Sequence, residues 1–131
     1  ACRSADDETC AKEPSAIVES VPSELAMLMK AIHKDAKNWR RDIERDSLAL
    51  DSLDIYLRLI SATPTDEEVQ GPVFEGFAMQ YQNAFDRLVA TAGTDSARSA
   101  YDALVAGCVT CHQSFCPGPV ATIEKLYFER P

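Results

Sequence analysis

The sequence predicts an all-α fold, an antiparallel up-down-up-down four-helix bundle in a single domain. The chain has 131 residues, about the size of one ordinary domain. It contains only five glycines, and frequent Ala, Leu, Glu, Asp and Arg favour helices over sheets. Four stretches repeat apolar residues at alternating gaps of three and four, the spacing of one helix face. Four such helices, joined by short connections, bury their apolar stripes together in a bundle.

The bundle is predicted over residues 21–116. Residues 1–20 are polar without a sustained period, and we expect an extended segment there. The first helix is predicted over residues 22–45, with Pro22 in its first turn. Its inward stripe consists of Leu25, Met29, Ile32, Ala36, Trp39 and Ile43. Residues 117–131 follow the bundle as a C-terminal tail.

The second and third helices show the same spacing. The second is predicted over residues 47–62 and ends before Pro64, because proline cannot continue a helix. Its stripe consists of Leu50, Leu53, Leu57 and Ile60. The third helix ends at Gly93, a residue type that commonly caps helix C-termini. Its stripe consists of Phe74, Phe77, Tyr81, Ala84 and Leu88.

The fourth helix places two cysteines on its inward face. Thr94 or Asp95 is predicted to cap its start, and the helix continues to about Cys116. Its stripe consists of Ala97, Tyr101, Leu104, Cys108, Cys111 and Phe115. A heptad stripe alone indicates only packing, so the two cysteines are the feature that points to a function.

Residues 108–112 read Cys-Val-Thr-Cys-His, the attachment sequence of c-type haem. On a helix, Cys108 and Cys111 project to one side, where two thiols can add to the two vinyl groups of one porphyrin. His112 then offers an imidazole nitrogen to the iron as the proximal ligand. The motif predicts one covalent haem c near the end of the last helix.

Three other interpretations of the motif are open. Cys108, Cys111, His112 and Cys116 would supply zinc ligands, but neighbouring residues 111 and 112 point about 100° apart on a helix. A thioredoxin-like dithiol needs a βαβ context, and the sequence shows none. The two cysteines would otherwise be inert buried residues.

With this motif at the end of a fourth amphipathic helix, residues 22–116 resemble the class II c-type cytochromes, the cytochrome c prime family. The resemblance implies a four-helix bundle that carries its haem near the end of the last helix. The tail at residues 117–131 and the additional cysteines at both ends of the chain depart from the pattern of that family.

Met29 is the predicted distal iron ligand. In an up-down-up-down bundle, the start of the first helix and the end of the fourth lie at the same end. Met29 is on the inward stripe there, whereas Met27 points outward. In related cytochromes a methionine in this region often ligates the iron, and His/Met ligation raises the reduction potential. His33, one turn further on, is the alternative ligand, and an open sixth position, as in cytochrome c prime proper, is the third.

Three cysteines remain beside the haem pair, and an odd number cannot all pair. Cys10 precedes the first helix and Cys116 ends the fourth, at neighbouring ends of the predicted bundle, so a Cys10–Cys116 disulfide is favoured. Cys2 is then a candidate lipid anchor, because Ala1 and Cys2 resemble the end of a lipoprotein cleavage site. A Cys2–Cys10 disulfide with a free Cys116 is the alternative.

The net charge of −8 at pH 7 disfavours binding to nucleic acid and predicts redox partners with a basic docking patch. Covalent haem and disulfides indicate a bacterial periplasm, at a membrane surface if Cys2 is lipidated. A homodimer is left open.

The predicted function is one-electron transfer by a six-coordinate haem, without enzymatic turnover. The alternative is a five-coordinate haem that binds or senses nitric oxide or carbon monoxide, as members of the cytochrome c prime family do.

Overall fold

The computed structural model describes residues 21–131, and the regular structure of this part of the chain is entirely helical. The five helices are α1 (Glu24–Glu44), α2 (Ile55–Ser61), α3 (Pro72–Thr91), α4 (Ala97–Phe115) and α5 (Val120–Glu124). The all-α prediction is confirmed for these residues. The predictions for Cys2, Cys10 and the rest of residues 1–20 lie outside the described part.

Helix α1 buries the face that the sequence predicts. It begins after Ser23, whose hydroxyl accepts a hydrogen bond from the backbone N–H of Ala26 at 3.1 Å. This cap starts the helix two residues after the predicted position, because the serine oxygen satisfies an N–H that the first turn leaves unpaired. All six residues of the predicted stripe are buried or half-buried.

Helix α2 is shorter than predicted, with seven residues instead of the span 47–62. Asp54 caps its start, because the carboxylate of Asp54 accepts a hydrogen bond from the backbone N–H of Leu57 at 2.9 Å. The short side chain of aspartate competes for nearby backbone N–H groups, so it favours a helix start over a helix interior. The predicted start at residue 47 is therefore wrong.

The inward face of α2 also differs from the prediction. Ile55 and Leu59 are buried, whereas Leu53 and Leu57 of the predicted stripe are 47% and 54% exposed. A helix of two turns that starts at residue 55 presents residues four apart to the core, and these are Ile55 and Leu59. Leu50 and Ile60 of the predicted stripe are half-buried against the core, so the apolar spacing is right for these two residues and wrong for Leu53 and Leu57.

Two contacting clusters of buried side chains form the core, and α4 contributes to both. The five largest fully buried side chains are Tyr101, Phe85, Leu88, Leu104 and Val105. Helices α3 and α4 pack along much of their length, whereas α1 approaches α4 at only a few positions. The space between α1 and α4 is thus less tightly closed than the space between α3 and α4.

Residues 117–131, predicted as a tail, complete the core instead. Ile123, Leu126 and Tyr127 are buried, and the ring of Phe128 contacts that of Tyr101 with centroids 5.3 Å apart. The sequence signal for this segment was weak because its only helix, α5, has five residues and no periodic stripe. The segment is part of the folded domain.

Two polar groups fix this C-terminal segment. The guanidinium of Arg40 donates to the backbone carbonyls of Leu126 at 3.0 Å and Tyr127 at 3.3 Å. The carboxylate of Asp102 accepts hydrogen bonds from the backbone N–H groups of Phe128 at 2.8 Å and Glu129 at 3.0 Å. Long-range hydrogen bonds therefore tie the segment to both α1 and α4.

None of the five helices described for residues 21–131 combines the length and the apolar character that a membrane crossing requires.

We predict that Asp102→Ala lowers the free energy of unfolding by about 1–3 kcal/mol, because two backbone N–H groups lose a charged acceptor. Urea unfolding followed by circular dichroism measures the change. Glu129→Ala is the control, since the side chain of Glu129 is exposed and its substitution should change stability by less than about 0.5 kcal/mol. Equal effects of the two substitutions would show that Asp102 does not hold the segment.

Candidate functional site

A cleft opens between the start of α1, the loop after α2 and the end of α4. Its lining residues are Ser23, Leu25, Ala26, Met29, Pro64, Thr65, Asp66, Val69, Phe74, Cys111, His112, Phe115 and Cys116. The enclosed part holds about 70 Å³, and the space out to open solvent is about 470 Å³. The volume of about 70 Å³ is the one to compare with the ~300–1,000 Å³ that is typical of ligand pockets, and it is smaller. A large ligand would therefore lie here with one edge exposed.

The cleft brings together three of the four predicted cofactor-binding residues. Met29 lines it from α1, and Cys111 and His112 line it from α4. Cys108, one turn before Cys111, is half-buried and packs against both core clusters. His33, the alternative distal ligand, is not among the lining residues.

Aromatic contacts fix the end of α4 that carries the motif. The ring of Phe115 meets the rings of Phe74 and Phe77 edge to face, with centroids 5.8 Å and 6.0 Å apart. Edge-to-face pairs at this distance are the favoured arrangement of aromatic rings. Because Phe115 is one turn after Cys111, these contacts hold the last turn of α4 against α3.

His112 is oriented by a hydrogen bond to the turn that follows it. Its Nδ1 lies 3.1 Å from the carbonyl oxygen of Cys116, and the N–H of Cys116 donates to the carbonyl of His112 at 2.8 Å. When Nδ1 carries the proton and donates this bond, Nε2 keeps its lone pair. A hydrogen bond of this kind sets the ring orientation of many metal-binding histidines.

Burial lowers the pKa of His112, and the hydrogen bond to Cys116 opposes that shift only in part. A lowered pKa keeps the imidazole neutral at physiological pH, which is the form that binds a metal ion. The side chain is therefore both oriented and in the correct protonation state for ligation.

The two thiols of the motif are free and are held in the protonated form. Burial raises the pKa of Cys108 to about 12, with a smaller contribution from Cys111, and burial raises the pKa of Cys111 to about 11. Reactive redox cysteines have the opposite property, a lowered pKa that produces thiolate at neutral pH. These pKa values disfavour dithiol chemistry at the motif.

Within residues 21–131, no group of three or more His, Cys, Asp and Glu side chains is arranged to hold a metal ion by itself. The arrangement that would bind zinc through Cys108, Cys111, His112 and Cys116 is therefore not formed. The described residues place the neutral imidazole of His112 and the thiol of Cys111 at the cleft. The thiol of Cys108 lies one turn before Cys111.

Cys116 is buried at the end of the cleft and is disulfide-bonded. Its partner lies outside the described residues. The pairing with Cys10 and the lipid on Cys2 stay predictions.

Hydrogen bonds join the start of α1 to the loop that forms the far wall of the cleft. The backbone N–H of Leu25 donates to the carbonyl of Thr63 at 3.0 Å, and the carboxylate of Glu24 accepts from the N–H of Thr63 at 2.9 Å. The hydroxyl of Thr65 contacts that of Ser23 at 3.0 Å. Sequence analysis did not identify this contact, because it joins segments about forty residues apart that share no pattern.

Tyr81 is a second feature that sequence analysis missed. It lies on the predicted stripe of α3 and is 6% exposed, but its hydroxyl has no hydrogen-bond partner among the described residues. No other buried side-chain N or O atom in residues 21–131 is left in this state. The periodicity of the sequence indicated that Tyr81 is buried, but it could not indicate whether the hydroxyl has a hydrogen-bond partner.

No protein family model, no curated protein and no solved structure matches this chain. The resemblance to the class II c-type cytochromes therefore depends on the motif and the helix pattern.

We predict that Glu24→Gln lowers the thermal stability of the protein at neutral pH. The difference in stability from wild type should become smaller as the pH falls. The hydrogen bond from Thr63 lowers the pKa of Glu24, so the ionised carboxylate stabilises the folded state above the unfolded pKa of ~4.3. That contribution is lost as the pH falls through the folded pKa. Thermal unfolding from pH 7 to pH 3 measures the difference.

Glu67→Gln controls for the loss of one negative charge on the neighbouring loop, because the side chain of Glu67 is exposed. A difference between Glu24→Gln and wild type that is constant over the whole pH range would contradict the assignment.

Proposed function

We propose that this protein is a c-type cytochrome that carries one covalent haem and transfers single electrons in a bacterial periplasm. The observation that carries the proposal is the Cys-X-X-Cys-His sequence at residues 108–112 on α4, with His112 oriented at a cleft whose opposite wall holds Met29. The motif alone is short. The motif lies beside a cleft that is also lined by Met29, a soft ligand, and this position supports haem over the other interpretations.

The fold that we propose for this function is an antiparallel four-helix bundle of α1, α2, α3 and α4, with α5 packed against α4. The contacts of α4 with α1, α3 and α5, and of α2 with α3, support this arrangement. In it, the start of α1 and the end of α4 lie at the same end, as the shared lining of the cleft requires.

Cys108 and Cys111 would hold the haem. Each thiol would add its sulfur to one carbon of a vinyl group and its hydrogen to the other, so the attachment would need no oxidant. Two free, protonated thiols three residues apart on one helix are suited to this reaction.

His112 would be the proximal ligand through Nε2. The hydrogen bond between its Nδ1 and the carbonyl of Cys116 keeps the ring from rotating and adds basicity to the ligating nitrogen. The haem iron supplies one-electron redox chemistry when it is bound, and the protein controls its potential through ligands, hydrogen bonds and burial.

Met29 would be the distal ligand. It is half-buried in the wall that faces His112, while Met27, two residues earlier, is 58% exposed. A thioether is a soft, uncharged donor, so it enters an apolar cleft without the cost of burying a charge. With both His112 and Met29 bound, the iron would have no site left for a substrate or a gas, and this favours electron transfer.

The open edge of the cleft suits docking of a redox partner with a basic patch. Glu24, Glu67 and Glu68 are exposed near the cleft, and Asp66 lines it. Together with the net charge of −8, they would attract a positively charged surface and repel nucleic acid. A disulfide at Cys116 supports an oxidising compartment such as the periplasm. Anchoring by a lipid at Cys2 and dimer formation belong to the same proposal.

We predict that the protein produced in a host with haem-attachment machinery is coloured and has the mass of the polypeptide plus one haem. The double variant Cys108→Ala and Cys111→Ala should lose the covalent haem, because no thiol remains to form a thioether. Mass spectrometry under denaturing conditions measures both. Cys116→Ala, which removes a cysteine outside the motif, should retain the haem mass. A colourless wild-type protein with the mass of its amino acids would refute the proposed function.

We predict that wild-type protein has a low-spin visible spectrum that carbon monoxide does not change, because Met29 occupies the sixth position. Met29→Ala should become high-spin, bind carbon monoxide and have a lower reduction potential, since methionine ligation raises it. Met27→Ala is the matched control, and it should behave like wild type.

A wild-type spectrum that is already high-spin and shifts with carbon monoxide would replace electron transfer with the gas-binding function. An unchanged spectrum in Met29→Ala would show that another residue is the distal ligand.

A further inference from the structure

We propose that Tyr81 donates a hydrogen bond from its hydroxyl to an acceptor of the bound haem, and that this bond helps to set the reduction potential. The inference rests on the proposed function, which it extends to a residue on α3. Tyr81 would act as a positioning residue, because it stabilises the bound group without ligating the iron.

The first argument is the unpaired hydroxyl. Tyr81 is 6% exposed, and within the described part of the chain its hydroxyl oxygen has no hydrogen-bond partner. A buried polar group without a partner destabilises the fold, whereas phenylalanine would fill the same space without that cost. A tyrosine at this position is therefore explained best by an acceptor that is not part of the polypeptide.

The second argument is the position of the ring. Tyr81 belongs to the buried cluster against which Met29, Cys108, Cys111 and Phe115 also pack. Burial is the main cause that raises the pKa of Tyr81, and electrostatic interaction with Cys108 adds to it. The raised pKa keeps the hydroxyl protonated, and it is thus a permanent donor on the side of the motif that faces α3.

The third argument is the contrast with Tyr101. This tyrosine is also buried, and its hydroxyl donates to the carbonyl of Ala36 at 2.9 Å. Among the described residues, the fold therefore supplies an acceptor for the hydroxyl of Tyr101 and none for that of Tyr81. Tyr101 lies two turns before Cys108 on α4, which makes it a matched control in the same region of the core.

The expected effect follows from the direction of the O–H dipole. The hydroxyl of Tyr81 places the positive end of its O–H dipole toward the acceptor on the haem. This favours the form of the haem with more negative charge, which is the reduced form. Removal of the donor should lower the reduction potential. The same removal should stabilise a protein without haem, because an unpaired polar atom disappears from its core.

The test compares Tyr81→Phe and Tyr101→Phe in the full-length chain with haem bound. Reduction potentials are measured by spectroelectrochemical titration, and thermal midpoints are measured with haem and in the Cys108→Ala and Cys111→Ala background without it. We expect Tyr81→Phe to lower the potential and the midpoint of the haem-bound protein, and to leave unchanged or raise the midpoint of the haem-free protein. Tyr101→Phe should lower both midpoints and leave the potential near that of wild type.

A potential in Tyr81→Phe equal to that of wild type would overturn the inference, because the hydroxyl would then make no bond to the haem. If the haem-free background does not fold, the two potentials decide the question alone. Failure of the proposed function can be distinguished from failure of this inference. If the proposed function is wrong, the wild-type protein carries no haem and no reduction potential can be recorded. A coloured protein whose potential is insensitive to Tyr81 would refute only this inference.

Discussion

The packing of α4 against its neighbours is the constraint on which the rest of the structure depends. Helix α4 contacts α1, α3 and α5, and three of the five largest fully buried side chains, Tyr101, Leu104 and Val105, belong to it. Its inward face continues without interruption into Cys108 and Cys111. The periodicity that buries the first half of α4 therefore also places both thiols on its inward face. The packed core behind them holds the site rigid.

The cleft lies between the start of α1 and the end of α4, and both helices are anchored elsewhere. Tyr101 and Arg40 tie the middle of α1 to α4 and to the C-terminal segment, and the bonds of Glu24 to Thr63 tie its start to the loop after α2. Between these attachments, the wall that contains Met29 faces His112 across a space that protein does not fill. Hydrogen bonds at the edge of the cleft and apolar packing behind it thus fix the positions of its walls.

The sequence predicted those features that depend on local periodicity and did not predict those that depend on contacts between distant segments. The stripe of α1 and the inward cysteines of α4 follow from a spacing of three and four, and Met29 and Cys111 do line one cleft. The start of α2 depends on Asp54, a single capping residue that the periodicity does not register. The place of residues 117–131 depends on Arg40, which lies 86 residues before the carbonyl it binds. The unpaired hydroxyl of Tyr81 is a property of the whole core, so no local pattern contains it.

The C-terminal segment has a consequence for the order in which the domain forms. Arg40 is translated 86 residues before Leu126, whose carbonyl it binds, and the ring of Phe128 packs on the same guanidinium. Until those residues are available, one side of α1 stays exposed to solvent, and the contacts of longest sequence separation cannot form. The core on this side of α1 is therefore completed only after residues 126–128 have been translated.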